Sequence, residues 1–198
     1  MTTALPDIID QLAGIDAGSA LAGLRDQRPE ARENAQKSYL ALFHAAETGE
    51  ASLLERHAVA AFVAGLHRDD GMVRFYAGGL AENGGGELGA LVAAEVERGL
   101  TQGPYGHFPA GRLTPENTDG LGYKVQDVHR ERLGARLSAA LEHAHMLVFH
   151  PRDADAPALQ ALLDAGWSTT GIVTLSQLVT FLAFQIRVVA GLRVLKAA

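Results

Sequence analysis

Apolar residues recur with the period of an α-helix along most of this chain, and that spacing constrains its fold more than any other feature of the sequence. In the segment LERHAVAAFVAGLHRDDGMVRFY, residues 54–76, one predicted helical face carries Leu54, Ala58, Ala61, Phe62 and Leu66. Side chains at i, i+4, i+7 and i+8 share one side of a helix, whereas a half-buried strand needs strict alternation. Alternating runs are short throughout the chain. We therefore predict an all-α fold.

Glycine, proline and short polar stretches divide the pattern into about seven to ten helices. The segment 54–76 breaks at Asp69 and Asp70, and a second helix is expected from about 71 to 81. The other helices are predicted over residues 6–14, 19–25, 29–49 (opened by Pro29 and stopped by Gly49), 88–100, 128–149, 157–165 and 171–195.

The pattern stops between Thr101 and Asp127. This stretch, TQGPYGHFPAGRLTPENTDGLGYKVQD, holds three prolines and five glycines. A loop of this length is unusual inside a compact domain and is often functional. We expect it to be irregular and to lie between two helical halves of a single domain that spans residues 1–198.

Composition excludes several classes of function. The chain has a net charge of −6 and a pI near 5.7, and an acidic surface does not favour nucleic-acid binding. It contains no cysteine, so disulfides, zinc–thiolate sites, iron–sulfur clusters and thiol chemistry are excluded. No metal or cofactor is predicted.

The last predicted helix is nearly long enough to cross a bilayer. Polar residues interrupt it at Gln177, Gln185, Arg187 and Arg193, and an arginine at membrane depth is costly. We interpret it as a helix buried between neighbours, without a membrane role. The N-terminal stretch MTTALPDIIDQL lacks the basic and long apolar regions of a signal peptide, so a cytoplasmic location is expected.

Two stretches carry a family resemblance. One is the segment 54–76, and the other is LLDAGWSTTGIVTLSQLVTFLAFQIRVVAGL, residues 162–192, with a short helix, a glycine, a Ser/Thr cap and a long apolar helix. Together they resemble the carboxymuconolactone decarboxylase superfamily, which includes the alkylhydroperoxidase D proteins, and more narrowly its cysteine-free branch of CMD domain proteins. The resemblance implies an alkylhydroperoxidase D-like helical bundle that assembles as a dimer, trimer or hexamer. It also implies a companion peroxidase-like domain.

The family's peroxidase motif is a glutamate, a Cys-x-x-Cys twelve residues on, and a histidine four residues after the second cysteine. When the motif is aligned to this sequence, His57 falls at the glutamate position, Asp69 and Met72 fall at the two cysteine positions, and Tyr76 falls at the histidine position. All four residues differ from the motif, so no thiol peroxidase activity is expected. His57, Asp69 and Tyr76 remain the candidate catalytic residues because they occupy the motif positions.

Each motif position has a structural and a functional interpretation. Asp69 or Asp70 is expected to cap the second helix, as aspartate does at helix N-termini, or to serve as a general base or metal ligand. Met72 and Tyr76 share a helix face and are expected to pack, with the Tyr76 hydroxyl as an alternative donor in a pocket. His57 is interpreted either as a half-buried histidine bonded to a carbonyl or as a general base.

A second group of histidines lies in LEHAHMLVFHPRD. His145 is expected to face the core, while His143 and His150 share another face. Glu142 and His145 are three residues apart, and we expect a structural pair rather than a metal site because no HExxH-like pattern is present. His67 stands where a helix ends and is expected to cap it.

Two functions therefore stay open at the level of the sequence. One is a cysteine-independent proton-transfer enzyme of the decarboxylase or isomerase kind, or a homologue of such an enzyme that has lost catalytic activity. The other is a non-catalytic binding or structural partner of a peroxidase-like protein. In either case the apolar last helix, with Phe181 and Phe184, and the region 54–80 are expected at the interfaces of a homo-oligomer.

Overall fold

Helices make up the regular structure of residues 5–197, the part of the chain that the computed structural model describes. Nine α-helices lie in this range, and a single isolated β-bridge joins Gly106 and Thr118. The all-α prediction is confirmed for these residues. Residues 1–4, at the start of the stretch in which no signal peptide is predicted, lie outside the described range. The helices are α1 (Ile8–Ala13), α2 (Ala20–Asp26), α3 (Pro29–Phe43), α4 (Leu53–Leu66), α5 (Asp70–Leu80), α6 (Gly89–Gly99), α7 (Asp127–Phe149), α8 (Ala156–Asp164) and α9 (Thr169–Ala197).

Helix α4 is the centre of the core. Ser52 and Glu55 form a reciprocal capping box at its start, in which each side chain bonds the other residue's backbone N–H. Every residue from Arg56 to Leu66 is buried, because α5, α6, α7 and α9 pack around this helix. The predicted apolar stripe was therefore too narrow, since alanines and a glycine on the remaining faces allow neighbours to approach from all sides.

Helix α3 ends at Phe43, and the predicted stop at Gly49 was wrong. The buried guanidinium of Arg56 explains the earlier end. It donates to the carbonyl of Leu42 at 2.7 Å and to that of Ala51 at 3.0 Å, and it also bonds the carbonyl of Thr48. These bonds satisfy carbonyls at the end of α3 and in the connection that follows, so the helix needs no further turn.

Helix α7 is interrupted where one continuous helix was predicted. Gly134 has φ 79° and ψ 160°, a conformation that L-amino acids with a side chain rarely adopt. The preceding stretch, residues 100–126, contains one short 3₁₀ turn, Thr114–Glu116, and is otherwise irregular, as expected.

Helix α9 begins after Ser168, whose Oγ accepts a hydrogen bond from the Gly171 N–H at 3.0 Å. It packs against α4, α7 and α1, and its inner face, which includes Leu178, Leu182 and Val189, lies in the core. By length and composition α9 is also apolar enough to cross a membrane, although core helices meet the same criterion. Its most apolar stretch of 18 residues is only 44 % buried.

Candidate functional site

The junction between α4 and α5 is a tight helix-to-helix break. Arg68 has φ 59°, and its N–H bonds the carbonyl of Gly65 at 2.8 Å. The N–H of Asp69 reaches the carbonyl of Ala64 at 3.2 Å. This pair of bonds is the Schellman arrangement that closes a helix C-terminus. Asp69 is thus held at the end of α4 and at the start of α5 at once.

Asp69 caps α5, as one of its two interpretations predicted. Its Oδ1 accepts a hydrogen bond from the Met72 N–H at 3.0 Å. The same carboxylate forms an ion pair with Arg193 of α9, at 3.0 and 2.7 Å from its two oxygens. Arg193 also donates to the carbonyl of Leu12 at 2.9 Å. The carboxylate is therefore already bonded to its own helix and to a fixed guanidinium, a structural arrangement that joins α5, α9 and the end of α1.

Tyr76 is fully buried, as is Met72 beside it. The Tyr76 hydroxyl donates to Oε1 of Gln185, which is fully buried in α9. Burial, followed by the nearby Tyr39, raises the pKa of Tyr76 well above its usual value, and the bond to Gln185 offsets this only in part. The phenol therefore stays protonated near neutral pH. The Gln185 Nε2 has no hydrogen-bond partner within the described residues.

His57 lies beside Tyr76, with ring centroids 6.2 Å apart, and packs on Phe43 at 4.9 Å. A Cβ on Gly79 would overlap the imidazole, so only glycine permits this close approach of α5. The expected bond to a carbonyl was wrong for Nδ1, which has no partner among residues 5–197. Burial, followed by repulsion from His44, lowers the pKa of His57 to about 4. The ring is therefore neutral near pH 7.

The structure brings two of the three candidate residues together. His57 and Tyr76 are neighbours, whereas Asp69 precedes Tyr76 by seven residues, or about 10 Å along the helix axis at 1.5 Å per residue. Tyr39, Phe43 and Phe75 surround the pair, so its environment is aromatic.

Several clefts lie on the described surface, and neither His57 nor Tyr76 lines the following two. The first, about 820 Å³, lies between α3, α8 and α9 and is lined by Leu42, Leu159 and Phe184 among others. The other, about 490 Å³, lies near the ends of α4 and α7 and includes His67 and Arg187. No group of three or more metal-ligating side chains is placed to hold an ion within residues 5–197.

The second histidine group is dispersed. His145 is buried, as expected, and its Nε2 bonds the carbonyl of Gly99 at 2.9 Å. The expected pair of Glu142 with His145 was wrong: Glu142 bonds Lys124 at 2.8 Å and Arg130 instead. The reason is tertiary, since Lys124 at the end of the irregular loop and Arg130 in the first turn of α7 supply these cations, whereas the histidine is buried in the core.

The other two histidines of this group, and His67, also have hydrogen-bond partners. His143 is buried with its Nε2 3.2 Å from the Ser176 Oγ, and burial lowers its pKa to about 4. His150 bonds Asp153 at 3.1 Å. His67 bonds the carbonyl of Val63 at 2.9 Å at the end of α4, consistent with the predicted cap.

Sequence reasoning missed a buried carboxylate. Glu95 of α6 is fully buried and accepts hydrogen bonds from the Tyr123 hydroxyl at 2.7 Å and the Gln126 N–H at 3.2 Å. The His129 Nδ1 lies 2.5 Å from the same carboxylate, and the Arg98 Nε lies 3.5 Å from it. Although burial alone would raise it, these bonds keep the pKa of Glu95 below its usual value. A glutamate on the apolar side of the helix marked by Leu88–Leu100 was the available signal.

The fold and these contacts define a cysteine-free, all-α protein in which Asp69 and Tyr76 link α5 to α9. In comparisons with protein-family models, with curated proteins and with solved structures, the chain has no match.

Proposed function

We propose that this chain is a non-catalytic binding or structural protein with an alkylhydroperoxidase D-like arrangement of helices. One observation carries the proposal: two motif positions are used to hold α5 against α9. Asp69 bonds Arg193, and Tyr76 bonds Gln185. We call these two pairs the α5–α9 clasp. A residue whose side chain is committed to a contact between helices is not free to bind a substrate.

The partners proposed with this function are further copies of the chain, as a dimer, trimer or hexamer, and a companion peroxidase-like protein. The half-covered α9 supports an association of this kind, because its most apolar stretch is 44 % buried and large exposed apolar surfaces are rare on monomers.

A second candidate, a proton-transfer enzyme, is favoured by one observation. The His57 imidazole is neutral near pH 7 and its Nδ1 is unpartnered in the described structure, as a general base would require. Against this, the Nδ1 side of the ring faces the backbone of Gly79, which leaves no room there for a reacting group.

Access to His57 separates the two candidates. Diethyl pyrocarbonate acylates accessible neutral imidazoles, and mass spectrometry locates the modified residue. We expect His57 to be protected in the folded protein, while His107, whose side chain is 59 % exposed, reacts within the same sample and serves as the internal control. Rapid modification of His57 would favour the proton-transfer enzyme.

Peroxide consumption with a dithiol reductant is the second measurement. We expect no turnover above the buffer blank, because the chain holds no sulfur nucleophile that a thiol can regenerate. Dithiol-dependent turnover by the purified protein would contradict the non-catalytic proposal.

A further inference from the structure

The outward face of α9 is a regular line of exposed positions. Between residues 171 and 194 these positions follow one another at intervals of four and three residues, apart from an additional exposed alanine at 190. The line, here called the α9 seam, consists of Val173, Gln177, Thr180, Phe184, Arg187, Gly191 and Val194. It is about 32 Å long at 1.5 Å per residue.

The composition of the α9 seam is unusual for a surface that faces water. The solvent face of a helix normally carries charged residues, but Arg187 is the only charged residue of the seam. Val173 is 56 % exposed, Phe184 45 % and Val194 70 %. A four–three alternation over three heptads is the pattern with which one helix packs along another.

The single charge selects the orientation of a partner helix. If two α9 helices packed in parallel and in register, Arg187 would face its own copy, and two like charges would be brought together along an otherwise uncharged seam. An antiparallel pair separates the two guanidiniums. Like a parallel pair in register, it has a twofold axis, so the same surface serves both copies and the assembly closes.

One antiparallel register matches large residues with small ones. With the twofold axis near residue 182, Phe184 packs on Thr180 of the other copy and Val173 on its Gly191. Gln177 then faces Arg187 of the other copy, so that its amide oxygen can accept from the guanidinium. No apolar side chain of these layers meets a charge.

The cleft between α3, α8 and α9 adjoins the same half of the seam. Its lining residues include Ser38, Ala41 and Leu159 beside Thr180, and none of its lining residues is charged. In the register above, the Phe184 ring of the other copy arrives beside Thr180, at the edge of this uncharged cleft. The surface next to the seam is therefore also suited to an apolar side chain.

We propose that the α9 seam binds the α9 seam of a second copy of this chain, antiparallel and with Val173 opposite Gly191. This inference rests on the self-association included in the proposed function and adds the surface, the symmetry and the register. It is independent of whether His57 is accessible.

The absence of cysteine makes the register directly testable, because every introduced thiol is the only one in its chain. The Val173→Cys and Gly191→Cys proteins are purified separately, mixed, allowed to exchange subunits and oxidised. We expect a disulfide-linked dimer in the mixture and no more than a trace from either variant alone. The Thr180→Cys and Phe184→Cys pair is expected to behave in the same way.

Two further pairings act as controls. A mixture of Val173→Cys with Thr180→Cys should not cross-link, since these positions are separated in the proposed register. Efficient self-linking of each single variant would indicate a parallel pair and overturn the proposal, as would a failure of both matched mixtures to cross-link.

Light scattering tests the surface without a thiol. The native protein should have a mass that is an even multiple of 20.9 kDa, and Phe184→Asp should lower it at least twofold. Val128→Asp, a charge at an exposed apolar residue of α7, is the matched control and should leave the mass unchanged. A native monomer, a trimer, or an oligomer insensitive to Phe184→Asp would overturn the seam.

A membrane is the other occupant that an apolar helix face would accept. The native protein is therefore floated with phosphatidylcholine and phosphatidylglycerol vesicles. We expect it to stay with the soluble fraction, and co-flotation that Phe184→Asp abolishes would overturn the proposal.

If the protein is an even oligomer that fails only the cross-linking test, the register is wrong while the self-association of the proposed function stands.

Discussion

The α5–α9 clasp and the Glu95 site are both polar contacts between elements of the core, but they differ in how completely their buried groups are bonded. In the clasp, the Gln185 Nε2 is left without a partner in the described structure, and so is Nδ1 of the neighbouring His57. At Glu95, both carboxylate oxygens accept hydrogen bonds, from the Tyr123 hydroxyl on one side and the Gln126 N–H on the other.

The difference indicates two structural roles. Glu95 anchors the irregular stretch 100–126 and the start of α7 to α6, and a loop without regular structure needs such a fixed attachment. The clasp links two helices that are each already held by α4, which packs against both α5 and α9. Its polar groups therefore add less to stability, and an incompletely bonded pair is tolerated there.

The largest effect is expected from Glu95→Ala. The change leaves the Tyr123 hydroxyl and the Gln126 N–H without their buried acceptor, and we expect a loss of about 3–5 kcal/mol in the free energy of unfolding. Urea denaturation measures it, and amide hydrogen exchange should rise across residues 100–126.

Two variants calibrate that result. Glu95→Gln retains one acceptor oxygen at nearly the same position and should lose only about 1–2 kcal/mol. Glu97→Ala, an exposed glutamate of the same helix, should stay within about 0.5 kcal/mol of the native protein. An equal loss for Glu95→Ala and Glu97→Ala would show that Glu95 anchors nothing.

The next effect concerns His57 and depends on pH. Its pKa is lowered to about 4 by burial and by His44, whereas an unfolded histidine titrates near 6.5. Between these values the unfolded chain binds the proton and the folded chain does not, so stability falls as the pH falls from 6.5 to 4. At pH 5 the loss from this residue is about 2 kcal/mol.

His57→Phe removes this contribution. The decrease in unfolding free energy between pH 7 and pH 5 should be about 2 kcal/mol smaller in the variant than in the native protein. Between pH 7 and 8.5 the two curves should run parallel, which is the internal control. An unchanged acid-side slope would mean that His57 accepts its proton as readily in the folded state as in the unfolded state.

The smallest effect is expected from Tyr76→Phe. Gln185 then loses its only described partner, and we expect a loss of about 1–2 kcal/mol. The double variant Tyr76→Phe/Gln185→Leu removes both polar groups and should be more stable than Tyr76→Phe alone. Urea denaturation of the native protein, Tyr76→Phe, Gln185→Leu and the double variant gives a double-mutant cycle for this hydrogen bond. Additive losses would argue that the hydrogen bond does not couple the two helices.

The helices themselves were largely predictable, because their signals are local. Pro29 opens α3, Asp69 caps α5, and the glycines and prolines after Thr101 end the helical pattern. One exception had a nonlocal cause. Helix α3 stops early because Arg56, which follows it in the chain, binds its terminal carbonyls.

The candidate site was predicted less well. The sequence placed His57 and Tyr76 in one motif, and the structure places their rings side by side. It did not reveal that Gly79 closes on the imidazole. Nor did it single out Glu95, whose partners lie 28 to 34 residues further along the chain.

The sequence by itself determined the class of secondary structure, the break at Asp69 and the exclusion of thiol chemistry, because these depend on residue identity and on spacings of a few residues. Only the tertiary structure decided what the motif positions do. Asp69 meets Arg193 across 124 residues, and Tyr76 meets Gln185 across 109. Such pairs form when packing brings two helices together and their buried polar groups must find partners, and no local spacing encodes that choice.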